Sequence, residues 1–204
     1  MTQNIIIKDL TDARDHLDSL ICNFEMISKI DTAAELIAHA LNTGGRILSC
    51  GNGGSMCDAM HFAEELSGYF RDDRAALAAT AISDPAHMSC VANDAGFEKV
   101  FSRYIEAHGR ADDVLLAIST SGNSRNIINA INAANDIGMT VIVLTGAYNG
   151  LCVPISDVAI VTPAGSTSDR VQELHIKVIH ILIELIERKL FPQNYSLDTQ
   201  HSVV

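Results

Sequence analysis

Val-Leu-Leu-Ala-Ile-Ser-Thr-Ser-Gly-Asn-Ser (114–124) is an unbroken apolar run that ends abruptly in a cluster of hydroxyls around one glycine. A short run with no polar alternation predicts a strand buried on both faces, and the hydroxyl cluster predicts the loop that ends it. The same grammar occurs upstream, where Arg46–Cys50 runs into Gly-Asn-Gly-Gly-Ser (51–55). Three further apolar runs, Leu77–Ile82, Thr140–Thr145 and Val158–Val161, alternate with longer segments of helical periodicity. That alternation implies βαβ units and an α/β fold, a doubly wound parallel sheet in a flavodoxin-like sandwich. In such a sheet ligands bind beyond the carboxyl ends of the strands, where both loops belong.

Ahead of the sheet, Leu10, Ala13, Leu17, Leu20, Ile21, Phe24 and Ile27 recur at helical spacing and predict an N-terminal helical arm over residues 1–30. Thr32 and Glu35 have capping-box spacing, so a second helix is expected to begin at Thr32 and to stop at Gly44-Gly45. The last strong helix runs from about Ser168 to Leu190. Pro192 then opens a polar tail, 192–204, expected to be mobile beyond Asn194. No linker divides residues 31–191, which read as one domain.

With 204 residues, 48% of them hydrophobic and 19% charged, the chain can bury a core that needs no metal or disulfide staple. Fourteen basic residues against 25 acidic ones give a net charge of −11, which argues against nucleic acid and anionic membrane surfaces as partners. The absence of Trp removes the usual base-stacking platform as well. The same field repels a phosphorylated metabolite, so any phosphate must be held by local donors. Cys22, Cys50, Cys57, Cys90 and Cys152 form no CxxC and read as buried, reduced thiols. MTQNIIIKDL has neither a basic n-region nor a long apolar stretch, and Val178–Ile186 is interrupted by His180 and Glu184. Neither reads as a signal peptide or a membrane span, and a cytoplasmic protein is expected.

Local donors are present. Ser119, Thr120, Ser121 and Ser124 supply hydroxyls at the start of a helix whose unpaired N–H groups favour an anion, and Gly122 lets the backbone fold around it. A helix cap alone would occupy one such hydroxyl. Gly51–Ser55 is neither a Walker loop nor a G-x-G-x-x-G turn, which disfavours nucleoside triphosphates and NAD. Asn52, Gly53 and Gly54 could offer amide donors to sugar hydroxyls. His61 and Glu65, four apart, share one helix face, and Gln172 and His180 lie eight apart on the last helix. Taken singly, these residues read first as a solvated pair, an unremarked glutamine and a core histidine. His175 lies off the Gln172–His180 line and reads as structural.

Four blocks in order, Cys-Gly-Asn-Gly-Gly-Ser (50–55), Asp-Ala-Met-His-Phe-Ala-Glu-Glu-Leu (58–66), Ala-Ile-Ser-Thr-Ser-Gly-Asn-Ser (117–124) and Arg-Val-Gln-Glu-Leu-His-Ile-Lys-Val-Ile-His (170–180), resemble the bacterial phosphoheptose isomerases of the sugar isomerase (SIS) superfamily. The resemblance spans roughly residues 30 to 190. It implies a SIS-type fold, a cytoplasmic homotetramer, and conversion of D-sedoheptulose 7-phosphate to D-glycero-D-manno-heptose 7-phosphate on the way to lipopolysaccharide heptose. It further implies one Zn2+ per subunit, held at His61, Glu65, Gln172 and His180. Substrate contacts would fall on Asn52, Gly53, Gly54, Ser55, Glu65, Asn93, Asp94, Ser119, Thr120, Ser121, Ser124 and Gln172. Met56 stands where such proteins often carry His, and the stretches Ala147–Val153 and Ser166–Ser168 differ from the usual wording. The tail beyond Phe191 is also longer.

An aldose–ketose interconversion needs a base to move a proton between C1 and C2, an acid for the oxygens, and a group to polarise the carbonyl. Glu65 is expected as the base and His180 as the acid, with the metal as Lewis acid or organiser. Eight helical residues rise about 12 Å, near the limit for sharing one ion. His180 is therefore expected to act on Glu65 of a neighbouring subunit. The alternative in another class is a non-catalytic SIS tetramer scaffolding the bacterial replication initiator, which the Leu190-Phe191-Pro192 ending resembles. Such a scaffold has no need of Glu65 or His180. A sugar-phosphate-sensing SIS regulator would need a second domain, for which 204 residues leave no room.

Overall fold

A computed structural model of the chain describes residues 2–163, 165 and 167–195. Two helices, α1 (Thr2–Ile21) and α2 (Phe24–Asn42), precede β1 (Ile47–Gly51), α3 (Gly54–Ser67) and β2 (Ala79–Ala81). Then follow α4 (Pro85–Ala95), α5 (Val100–His108), β3 (Val114–Ser119), α6 (Arg125–Ile137), β4 (Thr140–Thr145), β5 (Val158–Val161) and α7 (Ser168–Leu190). The strands form one sheet in the order β2-β1-β3-β4-β5, with every neighbouring pair parallel. All five apolar runs of the sequence are strands.

Period-2 alternation divides the core between the two faces of the sheet. Val114, Leu116 and Ile118 of β3 join Ile142 and Leu144 of β4 beneath α2, α3 and α7. Leu115, Ala117, Val141 and Val143 face α5 and α6 on the other side. Both faces are covered, so β1, β3 and β5 are buried along their whole length.

Three expectations change. Helix α2 begins at Phe24, not Thr32, because the Asn23 side chain accepts from the Met26 N–H and caps the helix there. Thr32 lies inside α2, its hydroxyl donating back to the Ser28 carbonyl. Cys50 and Cys152 are buried, but Cys22, Cys57 and Cys90 are exposed free thiols. Finally, the start of the tail is docked: Pro192–Tyr195 forms a 3₁₀ turn, and the Tyr195 hydroxyl donates to Glu187 Oε2 at 2.7 Å. Residues 196–204, and Ser166 of the departing stretch, lie outside the described residues.

The arm is loosely held. Leu20 is the buried residue of α1, while Ile5, Ile6, Ile7 and Leu10 remain more than half exposed. Among the described residues no helix is long and apolar enough to cross a membrane.

Candidate active site

Strands β1 and β3 are adjacent and end together, with Gly51 in register with Ile118. Their two loops therefore meet, and a reciprocal amide pair fastens them: Asn52 Nδ2 donates to Asn126 Oδ1 (2.9 Å) and Asn126 Nδ2 donates to Asn52 Oδ1 (2.8 Å). The side chain expected to contact a sugar is thus engaged in joining the loops. Asn126 is a site residue the sequence reading missed, since one asparagine in the first turn of a helix carries no distinguishing pattern.

A cleft of about 330 Å³ opens over this junction, lined by Asn52, Gly53, Gly54, Ser55, Ile118, Ser119, Thr120, Ser124, Ser168 and Gln172. It gathers the N-termini of α3, α6 and α7, whose unpaired N–H groups and dipoles favour an anion. No lining residue is charged. Ser124 occupies the cap position of α6 yet makes no side-chain capping bond, so its hydroxyl is not consumed by the helix. Instead it accepts from Ser119 Oγ at 3.3 Å. Gly122 adopts a left-handed φ of +65°, and a Cβ there would stand 2.8 Å from Gly150 Cα, so the turn demands glycine. Ser121 points elsewhere, its Oγ accepting from the Asn123 N–H. Asn93 and Asp94 lie on α4, which buries none of its residues, and neither lines the cleft.

Beside the cleft, α3 and α7 pack together and run in the same direction. Gln172 on α7 covers Gly54 at the start of α3, so closely that a Cβ on Gly54 would meet Gln172 Oε1 at 2.5 Å. Two turns further along the same seam, His61 Nε2 stands 3.1 Å from Glu65 Oε1 and 3.2 Å from His180 Nε2, and His180 Nε2 is 3.9 Å from Glu65 Oε2. One ligand atom from each of the three residues falls within 4.8 Å of the others. This overturns the expected donation of His180 to a neighbour's Glu65. The rise of about 12 Å along α7 sets Gln172 apart instead, over Gly54, while His61 and Glu65 stand on α3 at the level of His180.

The donor set suits a cation. Two imidazole nitrogens facing each other at 3.2 Å can share at most one proton between them. Glu65 Oε2 is buried without a hydrogen-bond partner. Two neutral imidazoles and a carboxylate are a three-protein-ligand set for zinc with room for a fourth position. One turn earlier on α3, burial lifts Asp58 to about 6, against the opposing pull of His61. His175, by contrast, is fully buried between α7 and the sheet, where burial pushes it down to about 4, and it takes no part in the cluster.

Comparison with known proteins agrees with this construction. Residues 14–146 match the SIS domain family. The chain is 55% identical over 190 residues to a phosphoheptose isomerase of Tolumonas auensis, covering 93% of this chain and 99% of that one. It is 53% identical over 190 residues to the phosphoheptose isomerase of Aeromonas hydrophila, with the same coverage. Among solved structures, the phosphoheptose isomerase of Neisseria gonorrhoeae superimposes with a TM-score of 0.85 at 38% identity, covering 92% of this chain and 99% of that one. That of Francisella tularensis gives 0.87 at 31% identity with the same coverage. The chain belongs to the phosphoheptose isomerase family of SIS-domain proteins and is an aldose–ketose isomerase of sugar phosphates.

Proposed function

We propose that the chain converts D-sedoheptulose 7-phosphate to D-glycero-D-manno-heptose 7-phosphate, supplying heptose for lipopolysaccharide, as a cytoplasmic homotetramer carrying one Zn2+ per subunit. The observation that carries this reading is the shared α3–α7 seam, which has an uncharged anion cleft at one end and the His61–Glu65–His180 cluster two turns away. From Gly54 to His61 the helix rises about 10 Å. An extended seven-carbon chain from phosphorus to C1 spans roughly the same distance at about 1.2 Å per bond. A triose or tetrose phosphate anchored in the cleft would fall short.

Ser119, Thr120, Ser124, Ser55 and the helix N-termini would hold the phosphate, with Ser121, Gly53 and Gly54 contributing main-chain donors. Glu65 would move the proton between C1 and C2 through Oε2, the oxygen left without a partner, while Oε1 stays with His61. His180 would protonate and deprotonate the sugar oxygens through Nε2. His61, Glu65 and His180 would hold the zinc, which when bound supplies Lewis-acid polarisation of the carbonyl, whereas Gln172, expected as a fourth ligand, covers Gly54 at the cleft end of the seam. What supports a shared site is α4: Asn93 and Asp94 are exposed and outside the cleft of their own chain, so we assign them to a neighbour's. The exposed isoleucines of α1 are suited to holding the copies together.

Incubation with sedoheptulose 7-phosphate, with and without a chelator, followed by identification of the sugar product, tests the reaction and its metal requirement. Aldoheptose phosphate should form, and Glu65→Gln should abolish it while leaving the chain folded. A wild-type chain that yields no aldoheptose phosphate under either condition points to the scaffold reading instead.

A further inference from the structure

Glu65 and His180 stand on different helices, so their separation depends on how the ends of α3 and α7 are held. A buried group that links those ends is Arg74. Its side chain is 1% exposed and pairs with Glu187 of α7, 2% exposed, at 2.6 Å. Its Nη2 donates to the carbonyl of Glu65 itself at 2.7 Å, and its Nη1 donates to the carbonyl of Leu66 at 2.8 Å. These are carbonyls of the last turn of α3, which the helix cannot satisfy internally. The other carboxylate oxygen of Glu187 accepts from Tyr195, and Phe191 lies against the guanidinium 5.9 Å away. Tyr195 belongs to the segment following α7, and its phenol is held well above its ordinary range by burial and by Glu187.

We propose that Arg74 is a positioning residue for the isomerase site, clamping the Glu65 turn of α3 to Glu187 of α7, and that Tyr195 completes the clamp. Buried ion pairs are poor sources of stability compared with apolar packing, because desolvation offsets most of their attraction. What they supply is geometry. A planar guanidinium reaches Glu187 and the α3 carbonyls at once, which a lysine ammonium on the same stem cannot do. His180 lies two turns before Glu187, so a small rotation of α7 at the clamp is carried directly to its Nε2. Tolerance at the cluster is narrow, since misplacement by about 1 Å can lower a rate by about 10²-fold.

The inference rests on the metal-assisted isomerase reading but can be tested apart from it. Arg74→Lys, Tyr195→Phe and a distant control, Arg103→Ala on the exposed Arg103–Glu106 pair, would be compared with wild type. Co2+ affinity would be read from ligand-field absorption, kcat and KM from sedoheptulose 7-phosphate turnover, and folding from circular dichroism and Tm. Tyr195→Phe removes one hydroxyl and should fold. We expect it to weaken Co2+ binding and lower kcat 5- to 20-fold with KM within twofold, and Arg74→Lys to do more. Arg103→Ala should match wild type. Should Arg74→Lys prove unfolded, Tyr195→Phe alone decides. Unchanged Co2+ affinity and kcat in folded Tyr195→Phe would overturn the proposal, as would a wild-type chain that binds no Co2+. A wild-type chain that binds Co2+ but does not isomerise the sugar refutes the substrate reading alone, and the Co2+ comparison still judges the clamp.

Discussion

Replacing Gly54 with alanine separates the stability of this fold from its chemistry. Gly54 is the first residue of α3, and its φ is not in the left-handed region, so the backbone accepts a side chain there. On helix propensity alone, alanine should stabilise by up to about 1 kcal/mol. The new Cβ, however, would lie 2.5 Å from Gln172 Oε1 and 2.7 Å from both Cδ and Nε2. Restoring an ordinary contact of 3.4 Å requires the amide to retreat by about 0.9 Å from that 2.5 Å position. The obstructing atoms are the end of a flexible side chain, so the fold survives and the amide moves. A displacement of that size at a residue lining the cleft is expected to lower kcat/KM by about 10²-fold, or about 2.7 kcal/mol of transition-state stabilisation. Turnover of sedoheptulose 7-phosphate and thermal unfolding would be measured on the same preparation. If the effect passes through Gln172, then Gly54→Ala should do almost nothing further in a Gln172→Ala background. Activity within threefold of wild type in the single variant, or full additivity in the double, would refute the reasoning.

Three other outcomes are expected. Asp113 is 1% exposed and accepts from the Arg46 and Arg110 backbone N–H groups and from Arg46 Nε, so Asp113→Ala should lower stability by about 3 kcal/mol in urea unfolding; a loss below 1 kcal/mol would contradict it. His175 titrates near 4 when folded against about 6.5 unfolded, so the unfolded state binds the extra proton between those values and His175 removes stability as pH falls from 6.5 to 4. Asp58 works in the opposite sense over much of that range, so the test is the gap between wild type and His175→Met, which should shift by about 3 kcal/mol in favour of the variant; a constant gap would exclude the assignment. Because the cleft lining carries no charged side chain, competitive inhibition by inorganic phosphate should weaken less than threefold between 50 and 300 mM salt, whereas a steep fall would mean that lysines or arginines hold the anion.

The sheet was legible because it is buried on both faces. Val114–Ile118 and Val141–Leu144 contain no polar residue, and a parallel strand covered by helices has no solvent face to interrupt the pattern. The arm was not, because exposure removes the constraint that writes the pattern. Phe24 is 80% exposed and Ile27 44%, so apolar spacing through the Cys22–Asn23 break imitated one continuous helix. Asn23, which ends the ambiguity, is a single capping residue, and Thr32 with Glu35 offered an equally good capping signal nine residues later. Tyr195, one residue into the stretch expected to be mobile, escaped for a related reason. Pro192–Tyr195 reads as polar, and among what holds it are a phenol reaching a buried carboxylate eight residues back and the Asn194 side chain donating to the Asp73 carbonyl.

The site shows where residue spacing stops being informative. Helical periodicity correctly puts His61 over Glu65 and Gln172 in line with His180, but it treats each helix as though it stood alone. Whether Gln172 and His180 can serve one site depends on the helix beside them, and sequence spacing holds no term for that. Once α3 lies alongside α7 in the same direction, a long separation within one helix becomes an asset. Gln172 pairs with Gly54, His180 pairs with His61, and the interval between them becomes a ruler running from the anion cleft to the reacting end of the sugar. The same geometry explains how a chain of net charge −11 can handle a phosphate. Glu65 lies about three turns along α3 from the helix N-terminus that lines the cleft, so the carboxylate needed for proton transfer and the anion that anchors the substrate are kept at opposite ends of one seam, and Asp58, one turn in, is lifted by burial to about 6.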